Sequence, residues 1–374
     1  MEVSILPVKT KSDLKKFIYL PAEIHKDHKT WLPPIYKDEW DFFNPKKNKA
    51  FLYSDTVLYL AYKGGKVVGR IMGIIHNKYN EIHNEKNGRF FSMECYEDEE
   101  VAHALITAVE EWARGKGMEK LIGPLGFSDK DPQGFQISGF EHQTVVATVG
   151  NFDYMPRLIE NEGYTKKVDL HDYIISIPDE LPILYKKVYD RISSRNSYRY
   201  EMVEFRSKKD LRKYIIPVFR LINEIYEPIY GFIPLSEKEM YELADQYLPI
   251  LEPEFVKAVL VEDELVAFVI AMPEISEGIK KSKGHLFPFG FIHILRSMKK
   301  SKGIVLLLGG IKPEYRKNGV DVLMGIKMME SASKREMVTL ESHLILETNK
   351  PMIGEVQKIG GKLYKKFRIF QKDL

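Results

Sequence analysis

Cysteine is almost absent. Cys95 stands alone among 374 residues, which excludes an internal disulfide and any cysteine-based metal site. No run of about 18 apolar residues occurs, so no membrane-crossing helix is expected. The opening residues, MEVSILPVKTKSDLKKF, lack a long apolar signal region. Charge of one sign is not in excess: 56 basic residues face 53 acidic ones, for a net +3. That balance argues against a general nucleic-acid binder and leaves any basic function local. No Walker-type G-x-x-x-x-G-K-[ST] is present, which disfavours a nucleotide-dependent enzyme. The expectation is a cytoplasmic protein without a nucleic-acid partner.

What is present suits a large core. Hydrophobic residues make up 44% and aromatics 12%, and the length fits two domains. The first half opens with a short strand at 3–8 and a helix from about Ser12. A Pro- and Trp-rich loop follows at 31–48. Strands at 57–63 and 66–76 are joined by Gly64-Gly65, a hairpin signal. A strand at 89–96 then leads into Asp98, Glu99 and Glu100, which favour a helix N-terminus, and Gly117 closes that helix. The second half repeats the grammar: a strand at 201–205, helices at 208–226 and from Ser236, and a hairpin at 255–272. A strand at 303–310, a helix to about Arg335, and strand, helix and strand at 343–346, 350–359 and 362–370 complete it. This duplicated order predicts an α+β chain of two tandem domains, 1–177 and 178–374, each a twisted mixed β-sheet flanked by helices. The join is expected in a connecting helix near 178–197.

The stretch at 303–335 carries the clearest chemistry. An apolar, β-branched run ends at Gly309-Gly310, a basic turn follows, and Gly319 precedes a helical pattern. Strand, tight loop and helix N-terminus in that order make a phosphate seat, because the first N–H groups of a helix are unpaired and its dipole favours anions. Lys312, Arg316 and Lys317 add cations, and Gly319 lets the backbone approach a ligand closely.

That turn, KPEYRKNGVDVL at 312–323, resembles the loop of the GNAT superfamily of acyl-CoA N-acyltransferases. The tail at 346–370 is also similar to that family's ending. Stretches at 76–90, 123–141 and 285–300 resemble a bacterial group of tandem GNAT-like proteins, some of which are ceramide synthases. The resemblance implies acyl-CoA as co-substrate, no metal, and an amine acceptor that extends to a long-chain sphingoid base. It implies a cofactor loop made of Gly310, Ile311, Arg316, Lys317, Asn318, Gly319, Val320 and Asp321. Asp321 departs from the family's Gly or Ala. It also implies that a backbone N–H within 308–311 polarises the thioester carbonyl. The position of the family's proton-donating Tyr holds Gln357, and Tyr364 lies on a strand. The first half has the acidic YEDEE at 96–100 where phosphate would sit, so only the second half is expected to hold the cofactor. A non-catalytic acyl-CoA-binding or scaffold protein is the alternative.

Glu347, at the end of a predicted strand, is a candidate general base if burial raises its pKa. Asn349 either holds substrate or caps the following helix. His76, Asn80, Glu81 and His83 lack a metal-binding helical spacing and are structural or line an acceptor pocket. The polar loop Ser128, Asp129, Lys130, Asp131 and Gln133 is functional or a solvated crossing. At 279–302 apolar aromatics lie between two cationic groups, which suits peripheral contact with lipid at the inner membrane face or a lid over an acyl chain.

Overall fold

The computed structural model describes every residue except Met1, Ala147, Leu181, Pro182, residues 196–199, Pro228 and Pro249. The first half runs β1 (Val3–Pro7), α1 (Lys11–Ile24), α2 (Tyr36–Phe42), β2 (Ser54–Lys63), β3 (Lys66–His76), α3 (Asn77–His83), β4 (Asn87–Cys95), α4 (Glu99–Gly115), β5 (Lys120–Gly123), β6 (Phe135–Ser138), α5 (Tyr154–Asn161) and β7 (Thr165–Ser176). The second runs α6 (Ile183–Arg195), β8 (Glu201–Glu204), α7 (Lys208–Ile225), α8 (Glu237–Tyr247), β9 (Val256–Val261), β10 (Glu264–Pro273), α9 (Ser276–Ser282), α10 (Gly290–Lys300), β11 (Gly303–Ile311), α11 (Val320–Lys334), β12 (Thr339–Glu341), β13 (Ile345–Leu346), α12 (Lys350–Lys358) and β14 (Lys362–Asp373). The connecting helix is α6; residues 181–182 and 196–197 of the expected join lie outside the described residues.

Local rules account for much of this. Gly64 and Gly65 both take positive φ, 60° and 76°, the backbone that a two-residue hairpin turn needs. Asp98 accepts from the N–H groups of Glu100 and Val101 and so caps α4. Val101, Leu105, Ile106, Val109 and Ala113 fall on one stripe of α4 and are buried on the sheet. Where one strand was expected at 343–346, the chain forms β12 at 339–341, turns through His343 at φ 57°, and pairs again as β13. Residues 77–83 form the short helix α3, capped by His76.

All strands join one sheet, in the order β1-β2-β3-β4-β5-β14-β7-β12-β11-β10-β9-β8. The halves exchange strands. β14, the last strand of the chain, lies between β5 and β7 and also pairs β6, while β7 pairs β12 and β13 of the second half. The long β7–β14 ladder stitches the two halves into one sheet, and its buried side chains Leu170, Phe367 and Ile369 continue the core across the seam.

In each half one parallel pair is short. β4 pairs β5 only over Asn87–Arg89, and β11 pairs β12 only over Gly303–Val305. Beyond those points the strands separate, and the two openings are filled differently.

Candidate functional site

In the first half the opening is plugged by the chain itself. The Leu125 N–H donates to the Phe90 carbonyl at 3.0 Å. Arg89, buried, donates to the carbonyls of Gly126 and Phe127, both at 2.9 Å. The Phe127 ring packs on Phe42 and Phe51. The loop read as polar and ambiguous is thus folded inward at its start. Asp131 turns back to accept from the Ser128 N–H at 3.0 Å, and burial pushes its pKa up to about 6. The neighbouring helix end is closed as well, since Asp98 caps α4 and binds Lys63 at 2.6 Å. A carboxylate already occupies the place where an anion would sit.

In the second half the opening is free. β11 stays paired with β10 as far as Ile311, with a bulge at Leu307, but among the described residues its other edge has no strand partner after Val305. Gly309 is exposed although it lies in mid-strand. Its edge groups meet one side chain: the Tyr226 hydroxyl donates to the Gly309 carbonyl at 2.9 Å and lies 3.3 Å from the Gly309 N–H. Burial pushes the Tyr226 pKa up to about 12, so it stays a proton-bearing hydroxyl at neutral pH. An unpaired strand edge of this kind can take an extended, amide-containing ligand as an added strand.

The edge leads directly to the basic turn. Gly319, at φ 85°, stands at the N-cap of α11 with no side-chain cap, so the first-turn N–H groups have no capping acceptor from it. Arg316 and Lys317 are exposed; Arg316 Nε donates to the Ile311 carbonyl at 3.1 Å, and Lys317 has no ion-pair partner among the described residues. Asn318 bonds the Glu314 carbonyl and shapes the turn. Lys312 is differently placed: Glu264 and Glu224 pair with it and raise its pKa, so it is already neutralised. Asp321 sits half-buried in the first turn, and Val320 is fully buried beneath it. Ile192 of α6 covers the Gly319 backbone.

The two residues singled out for chemistry near the tail both have partners within the protein. Burial would raise the Glu347 pKa, but Lys166 at 2.7 Å and the Asp169 N–H at 3.1 Å outweigh it and hold the carboxyl below its ordinary value. The shift is opposite to the one a general base needs. Asn349 caps α12, accepting from the Met352 N–H at 3.3 Å. His76 caps α3 through Nδ1, and burial pushes its pKa down to about 3. No group of three His, Cys, Asp or Glu that could hold a metal occurs among the described residues.

A different carboxylate sits at the closed end of the fork. Glu341 is the last residue of β12 paired with β11. Its carboxylate accepts from Lys365 Nζ at 2.6 Å, and Lys365 is 3.5 Å from Asp172. All three are buried in mid-sheet. Burial, and then the Glu341 charge, hold the Asp172 pKa well above its ordinary value. A cavity of about 640 Å3 opens there, lined by Glu274, Glu341 and Tyr364 on the sheet side and by His293, Arg296 and Lys300 of α10. Nothing in the sequence marked this group: Lys365 sits in a KKFR run that reads as a solvated face, and Glu341 in a strand too short to register. Tyr226 was equally silent, one of 21 tyrosines. A second buried chain, Glu94 to His25 at 2.7 Å and His25 to His28 at 2.9 Å, ties α1 to the first half's sheet.

A sheet built twice, with a split strand feeding a glycine turn and a helix N-terminus, is the architecture of the tandem GNAT proteins, and this chain has that fold. A tandem GNAT protein from the clavulanic acid biosynthesis pathway superposes with a TM-score of 0.55 at 13% identity, covering 100% of this chain and 98% of that one. In sequence, the chain is 27% identical over 386 residues to a protein of Caulobacter vibrioides (strain NA1000 / CB15N) named bacterial ceramide synthase, covering 100% of this chain and 98% of the relative. It is 26% identical to protein YghO of Escherichia coli (strain K12), across 97% and 94% of the two chains. No family model matches.

Proposed function

We propose that this chain is an acyl-CoA-dependent N-acyltransferase with one thioester site, in its second half, and that the acceptor is a lipid amine of the sphingoid-base class. The observation that carries this reading is the free edge of β11 running from the fork to the uncapped N-terminus of α11. The pantetheine amides suit that edge, and the pyrophosphate suits the first-turn N–H groups with Arg316 and Lys317. The name and full-length similarity of the Caulobacter relative support the lipid amine.

Acyl transfer requires that the attacking amine lose a proton, that the carbonyl oxygen be stabilised as it gains charge, and that the thiolate leave. The Gly309 N–H is the donor aimed into the fork, and the thioester carbonyl takes the place now held by the Tyr226 hydroxyl. Tyr226 then stands beside the leaving sulfur with a proton to give, the role for which Gln357 is unsuited. The amine proton passes to water in the open fork, since Glu341 lies at the closed end beside Val305 and is held by Lys365. Glu347 and Asn349 are already engaged, the one in its ion pair with Lys166 and the other as the cap of α12.

The test is product formation. The purified chain, palmitoyl-CoA and a long-chain base are expected to give an N-acylated base detected by mass spectrometry, with free coenzyme A released in equal amount. Saturable palmitoyl-CoA binding with no product from a broad amine panel would mean that the chain binds the thioester without turnover.

A further inference from the structure

The insertion between β10 and β11 has a face that the rest of the protein does not use. Phe287, Phe289, Phe291 and Leu295 are 76%, 68%, 44% and 53% exposed, an unusual concentration of bare apolar surface at one tip. They are not on a loose loop. Gly278 lets α9 approach α10 so closely that a Cβ there would lie 2.7 Å from the Ile294 Cα. Ile279, Ile294 and Met298 pack with Leu32, Ile35 and Leu307 beneath the pair. The Tyr36 N–H donates to the Gly284 carbonyl at 3.0 Å, and the His285 ring packs at a tilt against Tyr36. The scaffold is fixed while the aromatic rings face outward.

The charge around them has one sign. Residues 279–302 contain seven Lys and Arg and no Asp or Glu. Lys280 is tied to Gln143 and the Lys29 carbonyl, Lys281 to Glu277 and Lys302 to Glu336. Lys283, Arg296, Lys299 and Lys300 have no acidic partner among the described residues, and all four are exposed. An apolar tip ringed by unpaired cations complements an anionic bilayer surface. α10 has 11 residues, about 16 Å, so it can lie in such a surface but not cross it.

We propose that the α9–α10 insertion docks the protein on anionic membrane, with Phe287, Phe289, Phe291 and Leu295 in the headgroup–acyl boundary. α10 then serves two sides at once. Phe291, Leu295 and Lys299 follow its outer line, whereas His293, Arg296, Ser297 and Lys300 line the cavity that reaches Glu341. Docking on this face sets the cavity mouth at the bilayer surface, where a single-chain lipid amine can slide from the leaflet past α10 toward the fork. The doorway role rests on the proposed lipid acceptor; the docking itself does not.

Sedimentation of the full chain with vesicles tests this without any acyl donor, so a negative result leaves the acyltransferase reading intact. Phosphatidylcholine vesicles with roughly a third phosphatidylglycerol are expected to pull down the protein, and pure phosphatidylcholine far less. Phe287→Ser with Phe289→Ser is expected to weaken partition at least ~tenfold, and Lys283→Glu with Lys299→Glu to abolish the preference for anionic lipid. Both pairs are exposed and leave the core untouched, so unchanged thermal stability is the control. Absence of vesicle binding by the native chain, or equal binding by the Phe variant, overturns the proposal. So does a native dimer that the Phe variant converts to monomer, since a second copy would then be the occupant.

Discussion

Gly319→Val is expected to weaken coenzyme A binding by about 100-fold or more, equivalent to roughly 3 kcal/mol, while the protein remains folded. Gly319 adopts φ 85°, a conformation that costs an L-residue about 1–2 kcal/mol and a β-branched one more. A Cβ would also stand 2.9 Å from Ile192 Cγ2. The turn relieves both by moving, and its movement takes the first N–H groups of α11 out of line with the phosphate. The cost falls on a surface turn and not on the core, so the thermal transition is expected to shift by only a few degrees. Gly319→Ala is expected to fall between. Calorimetric titration checks the series, and a native-like Kd for the Val variant would mean that phosphate does not sit at this turn.

The largest effect on stability is expected at Lys365. Its ammonium is fully buried between Glu341 and Asp172. Lys365→Met removes the only cation in that group and leaves buried carboxyl groups uncompensated, a change that costs about 3–5 kcal/mol. The pH dependence has a definite sign. Burial and Glu341 hold the Asp172 pKa well above its ordinary 3.8, so the native protein keeps a proton that the unfolded chain has already released. The unfolded state binds fewer protons in that window, and this group's contribution to stability falls as pH rises above about 4. Losing Lys365 raises the Asp172 pKa further and extends the decline to higher pH. Urea unfolding of Lys365→Met is therefore expected to show a deficit larger at pH 8 than at pH 5. Adding Asp172→Asn and Glu341→Gln is expected to restore much of the stability. A single variant as stable as the native chain at pH 8 would mean that water reaches the triad.

Features set by short-range rules were legible in the sequence. Gly64-Gly65 between alternating apolar runs could hardly be other than a hairpin, and Asp98 before an acidic turn marks the start of α4. The duplicated order and the strand–turn–helix at 303–335 follow from periodicity, glycine and charge. Features set by pairing between distant segments were not. Nothing in the apolar alternation of β7 or β14 says that each will join the other half's sheet, because a strand's pattern specifies which face is buried and not which neighbour it takes. The filled first-half fork depends on Arg89 reaching two carbonyls 37 and 38 residues away. The partner of Glu347 was not legible, because Lys166 lies 181 positions earlier and comes near only when β7 lies beside β13. Tyr226, Glu341 and Lys365 are ordinary residues in ordinary runs until folding sets Tyr226 against Gly309 and Lys365 against Glu341.

The central claim is a single acyl-CoA site in the second half. Titration of the native chain and of Arg316→Glu with Lys317→Glu against palmitoyl-CoA tests it directly. One site per chain, lost in the double variant, is the predicted result. Two sites per chain, or one that survives the charge reversal, would contradict it and move the thioester to the first half or to the cavity beneath α10.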